Sequence, residues 1–456
     1  MNGAFDVSFC CLLLVDRFSV ASGGTFFFFA SQSAEGIRYN EGKEKTMSDR
    51  TFRIGPIRPP SEANSLLIQV TNGCTWNKCK FCQLYRHTKF KAYSADSIRA
   101  DIDNIAYWAE RVRKYERKGV SAFAWDIEGI NTELSNMTDA DEQQCMYTVA
   151  NWLVGGGENV FLQDGNSTAL SSGRLTDVLV YLRQVFPQIK RITSYGRAEN
   201  LSRSTAEDFA ELKSAGLDRI HSGFETGSDA VLKRINKGVT QEQQIRAGKA
   251  IKAGGIELSI YFMPGVGGKD LSADNAEGTA EVINAVNPDF IRVRTAAIKP
   301  GTELYQDWQD GLFELCSDDD KVREIRRVIE LSGATADAGQ DASRVTTYLV
   351  SDHMINLLQS VEGYLAPDSG AVGDATGDRD AGGDRERMLG LIDRYLNMPE
   401  ADRRVFQLLR RTLRAYDLDD MDRLGAAERE TLRAEVMKEN ELGWNVRMNG
   451  YICRYV

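Results

Sequence analysis

Apolar residues recur with two alternating periods along residues 64–294. Short runs rich in β-branched and aromatic residues give way to longer stretches with a single apolar face. The short runs predict six strands, over 66–71, 159–163, 190–195, 218–224, 256–262 and 289–294. Helices are predicted over 96–118, 139–153, 175–186, 204–214, 240–254 and 273–285. In the first of these, Ile98, Ile102, Ile105, Trp108, Ala109 and Val112 share one face. Ser204 with Glu207, and Thr240 with Gln243, read as capping boxes, and Gly216 and Gly254-Gly255 as stops. Segment 120–137 is ambiguous, because AFAWDI also reads as a strand.

Strands alternating with helices imply a parallel sheet with crossover connections. Six units predict an α/β fold, either an incomplete (β/α)6 barrel or a doubly wound sheet. Both gather their chemistry at the carboxyl ends of the strands. Cys74, Asp164-Gly165-Asn166, Arg197, Glu225 and Pro264-Gly265 follow the first five strands in turn. Past residue 317 the pattern turns helical, over 321–331, 352–365, 387–396 and 401–416. Residues 366–385 hold five Gly and five Asp without Leu, Ile or an aromatic, which predicts a flexible insertion.

Composition narrows the classes. With 42% apolar residues the chain can bury a sizeable core. A net charge of −10 argues against a general nucleic-acid backbone binder. No run of 18 apolar residues predicts a membrane span. The eight cysteines are too sparse for a disulfide scaffold. Cys10 and Cys11 fall in the N-terminal extension and Cys145, Cys316 and Cys453 are isolated, whereas Cys74, Cys79 and Cys82 crowd together, which suits metal ligation in a reducing, cytoplasmic setting. In residues 1–46, FCCLLLV and TFFFFA are split by Asp16 and Arg17, and Asp6 is the only charge ahead of them. A secretory signal wants positive charge there. Residues 1–46 are therefore read as an extension outside the fold, disordered or upstream of a true start at Met47.

The informative segment runs from Asn72 to Tyr85, NGCTWNKCKFCQLY. Thiolate is the soft ligand that iron–sulfur clusters use. Three cysteines on one loop leave one iron of a four-iron cluster open, as a catalytic site requires. Structural zinc needs a fourth ligand at paired spacing, and His87 is the only local choice.

This segment resembles the cluster motif of the radical S-adenosylmethionine (SAM) superfamily. The usual spacing there is C-x3-C-x2-C with an aromatic before the last cysteine. Phe81 matches the aromatic, but the spacing here is C-x4-C-x2-C. The resemblance continues through FLQDGNS (161–167), SYGRAENL (194–201), 216–238, YFMPGVGGKD (261–270), RTAAIKPGTELY (294–305) and 351–363. It is broadly similar to oxygen-independent coproporphyrinogen oxidase-like proteins and Fe–S oxidoreductases.

The resemblance implies an incomplete (β/α)6 barrel of the radical SAM type over 47–315, with a mostly helical region over 316–456. It implies that Cys74, Cys79 and Cys82 hold a [4Fe–4S] cluster and that SAM chelates the fourth iron. One electron would cleave SAM to a 5′-deoxyadenosyl radical that abstracts hydrogen from an unidentified substrate. Arg197 would meet the SAM carboxylate, Asp164 and Asn166 its amino group, Glu225 its ribose or amino group, and Phe81 its adenine. Ser194 would assist at the rim, and Gly265, Gly267 and Gly268 would admit the backbone close to adenine. Each has an ordinary alternative: a surface arginine, an Asp-Gly turn, a helix cap, a packed aromatic, a strand-end hydroxyl. Asp352-His353 reads as a helix start and His221 as core. Lys78, Lys80, Arg86, Lys89 and Lys91 flank the cysteines as a solvated loop or an RNA contact. The expected partner is a reducing protein such as a flavodoxin or ferredoxin. The competing class is a non-catalytic iron–sulfur electron-transfer or metal-binding protein.

Overall fold

Period-two alternation sorts the strand residues into two sets, and the two sets build the molecule. The computed structural model describes residues 50–455 apart from 57, 118–124, 334–345, 352–355, 367–382 and 414–415. The extension 1–46, the Asp352-His353 pair, residues 122–124 of AFAWDI and nearly all of the 366–385 insertion lie outside the described residues, while Trp125 makes an isolated antiparallel bridge to Glu116.

The strands are β1 Leu66–Gln69, β2 Thr71–Asn72, β3 Lys91–Ala92, β4 Asn159–Gln163, β5 Arg191–Tyr195, β6 Arg219–Glu225, β7 Glu257–Phe262, β8 Phe290–Val293, β9 Tyr348–Val350 and β10 Gly363–Tyr364. Helices α1 to α8 are Ala95–Arg113, Ile127–Asn136, Ala140–Val154, Ser172–Val185, Ala198–Leu201, Ala206–Ser214, Asp229–Arg234 and Gln241–Ala253. Helices α9 to α16 are Ser272–Val286, Glu303–Gln309, Asp318–Leu331, Asp384–Leu396, Glu400–Thr412, Leu418–Arg423, Ala426–Val436 and Glu441–Tyr455.

One sheet runs β1-β4-β5-β6-β7-β8-β9-β10. Pairing is parallel from β1 through β9 and antiparallel only at β10. The strand order never reverses, so the sheet is singly wound and the doubly wound alternative falls away. The six expected strands are all present, and β9 and β10 extend the sheet beyond them. The helix expected over 352–365 is corrected: among its described residues, 356–362 are not helical and Gly363–Tyr364 is a strand. The apolar spacing of Leu357, Leu358, Val361 and Leu365 mimics a helical face, and all four are buried, but along a turning path. There Asn356 Nδ2 donates to Val293 O at 2.6 Å and to Ser351 Oγ at 3.2 Å. The first capping box is also shifted by one residue. Thr205 and Asp208 form it, while Thr240 and Gln243 form the second as expected.

One strand set faces the helices. Ile68, Val160, Leu162, Ile192, Ile220, Leu258, Ile260 and Ile291 join a single core with α1, α3, α4 and α8. The other set faces a lumen. Phe161 meets the Tyr195 ring at 5.0 Å between centroids, and His221 meets Tyr195 at 6.0 Å and Tyr261 at 6.4 Å. Beneath these rings sits Glu62, fully buried in the turn Pro60–Glu62 before β1. Its Oε1 lies 3.3 Å from His221 Nε2 and 3.2 Å from an Arg191 guanidinium nitrogen. Burial alone raises the Glu62 pKa, but hydrogen bonds from His221 and Ser65 and the Arg191 charge more than offset it and hold the carboxyl low. Burial pushes His221 down to about 4, so the ring is neutral at pH 7. His221 is thus a floor residue of the barrel.

The C-terminal helices are tied to α11 by charge. Asp319 accepts from Tyr395 Oη at 2.7 Å and from Arg403 at 2.8 Å, and Asp318 from Arg411 and Lys321 at 3.3 Å each. In turn α11 packs on α9. No helix among the described residues is long and apolar enough to cross a membrane.

Candidate functional site

The cysteine loop leaves the barrel at the carboxyl end of β1. Its base is closed by β2 and β3, which pair antiparallel with Asn72 opposite Lys91. Its path is fixed by the chain itself. Lys80 N donates to Ile235 O at 2.9 Å, and Trp76 Nε1 to Asn236 O at 2.7 Å. Asn236 Nδ2 returns a bond to Lys78 O at 3.0 Å. On the far side Leu304 N donates to Lys80 O at 3.0 Å, and Lys80 pairs with Asp307 at 2.6 Å. Arg86 crosses the loop, donating to Cys82 O and Cys79 O at 3.0 Å each and pairing with Glu303 at 2.8 Å.

Cys74, Cys79 and Cys82 are free thiols at intermediate exposure. Burial raises the Cys79 pKa, Lys237 and Arg197 pull it back, and Cys82 and Cys74 add to the rise. The three sulfurs therefore share one electrostatic neighbourhood with two cations. No three His, Cys, Asp or Glu side chains among the described residues converge on one ion position. A four-iron cluster does not require that, since each of its cysteines binds a different iron. The donor set fits such a cluster: soft ligands, not joined in disulfides, with the charges of Lys237 and Arg197 beside them.

Around the thiols stand the residues at the other strand ends. Asp164 is fully buried and accepts a hydrogen bond from Tyr85 Oη. Burial raises its pKa to about 6, against hydrogen bonding from Tyr85, Gly73, Gln69 and Gly165. Gly165 has no room for a side chain; a Cβ there would sit 2.8 Å from the Tyr85 ring. Asn166 is a clamp. Its Nδ2 donates to Thr75 Oγ1 at 2.9 Å and Asn200 Oδ1 at 2.8 Å, and its Oδ1 accepts from Arg197 N at 3.0 Å. Arg197 lies at the start of α5, its guanidinium 3.4 Å from Thr75 Oγ1, 3.1 Å from Lys237 O and 5.6 Å from the Trp76 ring centre.

Glu225 ends β6 past a register shift against β7, with φ of 66°. Its Oε1 accepts from Lys237 Nζ at 2.9 Å, and both side chains are only 11% exposed. Burial depresses Lys237, but Glu225 and Cys79 outweigh it and raise the pKa, so the lysine is charged. Lys237 Nζ also lies 5.7 Å over the Phe81 ring. Phe81 packs between two small apolar clusters, one around Met263 and Val266 and one around Leu304 and Phe313.

The structure therefore brings together Cys74, Cys79, Cys82, Asp164, Asn166, Arg197, Glu225 and Phe81. Ser194 is not in this group. It shares the helix-facing register of Ile192, and its hydroxyl is buried against Tyr195 O at 3.4 Å. Gly265 lies at the edge, where its N–H donates to Glu324 Oε2 at 2.8 Å. Glu324 is buried and raised to about 7 by desolvation. Cys145 and Cys316 are buried away from the loop, against Phe52 and Glu324.

Two residues were missed from sequence. Lys237 links Glu225 to Cys79, and Tyr85 holds Asp164. A signal for Lys237 is the following Gly238, whose φ of 66° and position against Trp76 admit no side chain: a Cβ would lie 2.5 Å from that ring.

Comparison with known proteins supplies the class. Residues 133–274 match the family model described as the radical SAM superfamily. The match includes Asp164, Arg197 and Glu225 and begins after the cysteine loop. Members of the superfamily are enzymes, and their cofactors are a [4Fe–4S] cluster and SAM. The tRNA uridine(34) acetyltransferase of Methanocaldococcus jannaschii is 25% identical over 120 residues, 26% of this chain and 22% of that protein. The tRNA-2-methylthio-N(6)-dimethylallyladenosine synthase of Christiangramia forsetii is 20% identical over 290 residues, 63% of this chain and 53% of that protein. The chain thus spans about half or less of the length of these relatives. Methylornithine synthase, a solved structure, is 15% identical with a TM-score of 0.37, over 72% of this chain and 82% of that one.

Proposed function

We propose that this chain is a radical SAM enzyme that cleaves SAM reductively and abstracts a hydrogen atom from a substrate. The observation that carries the reading is the placement of three free thiols at the carboxyl edge of a parallel barrel, beside buried cations and two buried carboxylates. In this reading Cys74, Cys79 and Cys82 hold the cluster and leave one iron for SAM. When bound, the two cofactors supply a 5′-deoxyadenosyl radical.

The chain supplies placement and charge. Arg197, with guanidinium donors beyond its bonds to Thr75 and Lys237, receives the SAM carboxylate. Asp164 and Glu225 would hold the cationic amino group of SAM. Lys237 pairs with the buried Glu225 carboxylate at 2.9 Å and would offset the negative charge of the ligating thiolates. Asn166 holds the Arg197 backbone and the Thr75 loop in register, which makes it a positioning residue. Phe81 fixes the loop between Cys79 and Cys82 against the barrel wall. Unpaired thiols of this kind suit a reducing, cytoplasmic compartment. The matched relatives carry different printed activities, so the reading stops at the shared chemistry and leaves the substrate open.

The test uses the full chain, reconstituted anaerobically with iron and sulfide. With SAM and dithionite, 5′-deoxyadenosine is expected by mass spectrometry, and Cys79→Ala is expected to yield none. A stable four-iron cluster that neither binds nor cleaves SAM refutes the enzyme reading and favours the electron-transfer class.

A further inference from the structure

The lumen-facing register of β8 continues past the strand. Arg292 and Arg294 share it, on the side opposite Ile291 and Val293, which join the core. Arg292 is buried and donates from Nε to Ser259 Oγ on β7 at 3.1 Å. Arg294 stands one step nearer the mouth. Its backbone is fixed, with N–H donating to Phe262 O at 2.8 Å, and its side chain is exposed. Glu225 pairs with Phe262, and Phe262 with Val293, so Arg294 lies one residue above the level of Glu225.

The charge of Arg294 is felt inside the mouth. Burial and the Tyr261 hydroxyl hold the Tyr195 pKa well above its usual value; Arg294 pulls against that rise and Glu225 adds to it. One tyrosine hydroxyl thus lies in the fields of both the carboxylate beside the thiols and a guanidinium from β8, five strands from β1 in the sheet order. Phe161, Tyr195, His221 and Tyr261 form a layer of rings whose neighbouring centroids lie 5.0–6.4 Å apart. That layer fills the lumen beneath, and the accessible part is the mouth. The cations nearest the thiols are engaged there, Lys237 with Glu225, and Arg197 with Thr75 and Lys237 O. Arg294 makes no ion pair and no side-chain hydrogen bond among the described residues. A guanidinium so placed is a fork for an oxyanion, to which it offers two parallel N–H bonds.

We propose that Arg294 binds the anionic group, a carboxylate or a phosphate, of a small substrate seated in this mouth between the SAM residues and β8. The proposal rests on the enzyme reading above and names the substrate class for the same site. Arg294 is then a specificity-determining residue: it anchors one end of the substrate, and the other end faces the site of SAM. The SAM carboxylate is a poorer ligand for it. The cations that act on Cys79 are Lys237 and Arg197, not Arg294, so Arg197 stands on the side of the thiols and Arg294 across the mouth from them.

The probes are inorganic phosphate and malonate, read by phenylglyoxal labelling of the full chain and peptide mass spectrometry. Arg294 is expected to label readily, and one of the two anions at millimolar concentration to slow that labelling at least about threefold, with ionic strength held constant by chloride. A stronger effect of phosphate assigns a phosphate ester, and of malonate a carboxylate. By titration calorimetry the preferred anion should bind about tenfold or more weakly to Arg294→Gln, and by a smaller factor to Arg294→Lys, which keeps the charge and loses the fork. Equal labelling with and without both anions overturns the proposal. So does protection that chloride reproduces, which marks an adventitious ion only. Protection by SAM in place of the anions gives Arg294 to the cofactor and overturns it too. The measurements are made on the cluster-free and on the cluster-loaded chain. If the loaded chain cleaves no SAM, the enzyme reading fails while the anion measurement stands. If it cleaves SAM and Arg294 takes no anion, only the assignment of Arg294 fails.

Discussion

Replacing Lys237 by Met removes the only cation bonded to the Glu225 carboxylate among the described residues and leaves a buried charge behind. At 2.9 Å the pair attracts by about 6 kcal/mol at an effective dielectric of about 20. Most of that offsets the cost of taking both groups out of water. The two routes to removing the pair therefore differ. Breaking it from one side costs about 3–5 kcal/mol in buried settings, and the residual 11% exposure of each partner favours the lower figure. Removing both charges, in Lys237→Met/Glu225→Gln, leaves nothing ionised to solvate, so the double variant is expected to fall at least about 2 kcal/mol short of the sum of the singles. The assay is urea unfolding of the cluster-free chain, followed by circular dichroism and tryptophan fluorescence. Additivity within about 0.5 kcal/mol would refute the claim that the two buried charges are coupled through their ion pair.

Other consequences can be measured on the same material. The unfolded state takes up a proton on histidine near pH 6.5, whereas the folded state resists until about 4, so stability should drop by about 3 kcal/mol as pH falls through that window. His221→Asn should flatten that part of the pH–stability curve; an unchanged slope assigns the acid sensitivity elsewhere. Asp164 behaves in the opposite sense: its pKa of about 6 lies above the unfolded value, so its ionisation destabilises the fold as pH rises from about 4 to 6. Asp164→Asn should remove that loss, and a variant that still loses stability over the range counts against a buried carboxyl there. Gly238→Ala places a methyl into the Trp76 ring at a left-handed position, and about 2–4 kcal/mol of stability should go with it. A wild-type melting midpoint in that variant means the turn and ring relax freely.

The barrel was legible because its strands carry uninterrupted apolar positions and its helices carry boundary residues. NVFLQ forms β4 with the expected limits. The shift of the first capping box from Ser204 to Thr205 shows where that reading weakens: two adjacent hydroxyl residues compete for one N-terminus, and packing chooses between them. β9 and β10 were illegible because three and two residues are too few to show a period, and their partners lie far along the chain. In the site, Asp164, Arg197 and Glu225 stood out because each falls at or within two residues of the carboxyl end of a strand. Ser194 lies inside β5 and on the helix-facing register, which the alternation of Arg191, Thr193 and Tyr195 with Ile192 already encodes. Lys237 lies beyond a helix, not a strand, so its place beside Glu225 depends on tertiary folding that no local pattern reveals.

The hydrogen bonds that strap the cysteine loop to residues 235–236 and to α10 join protein to protein. The geometry of the cysteine loop is accordingly set by two segments far along the chain, and a substitution in either one reaches the thiols without touching them.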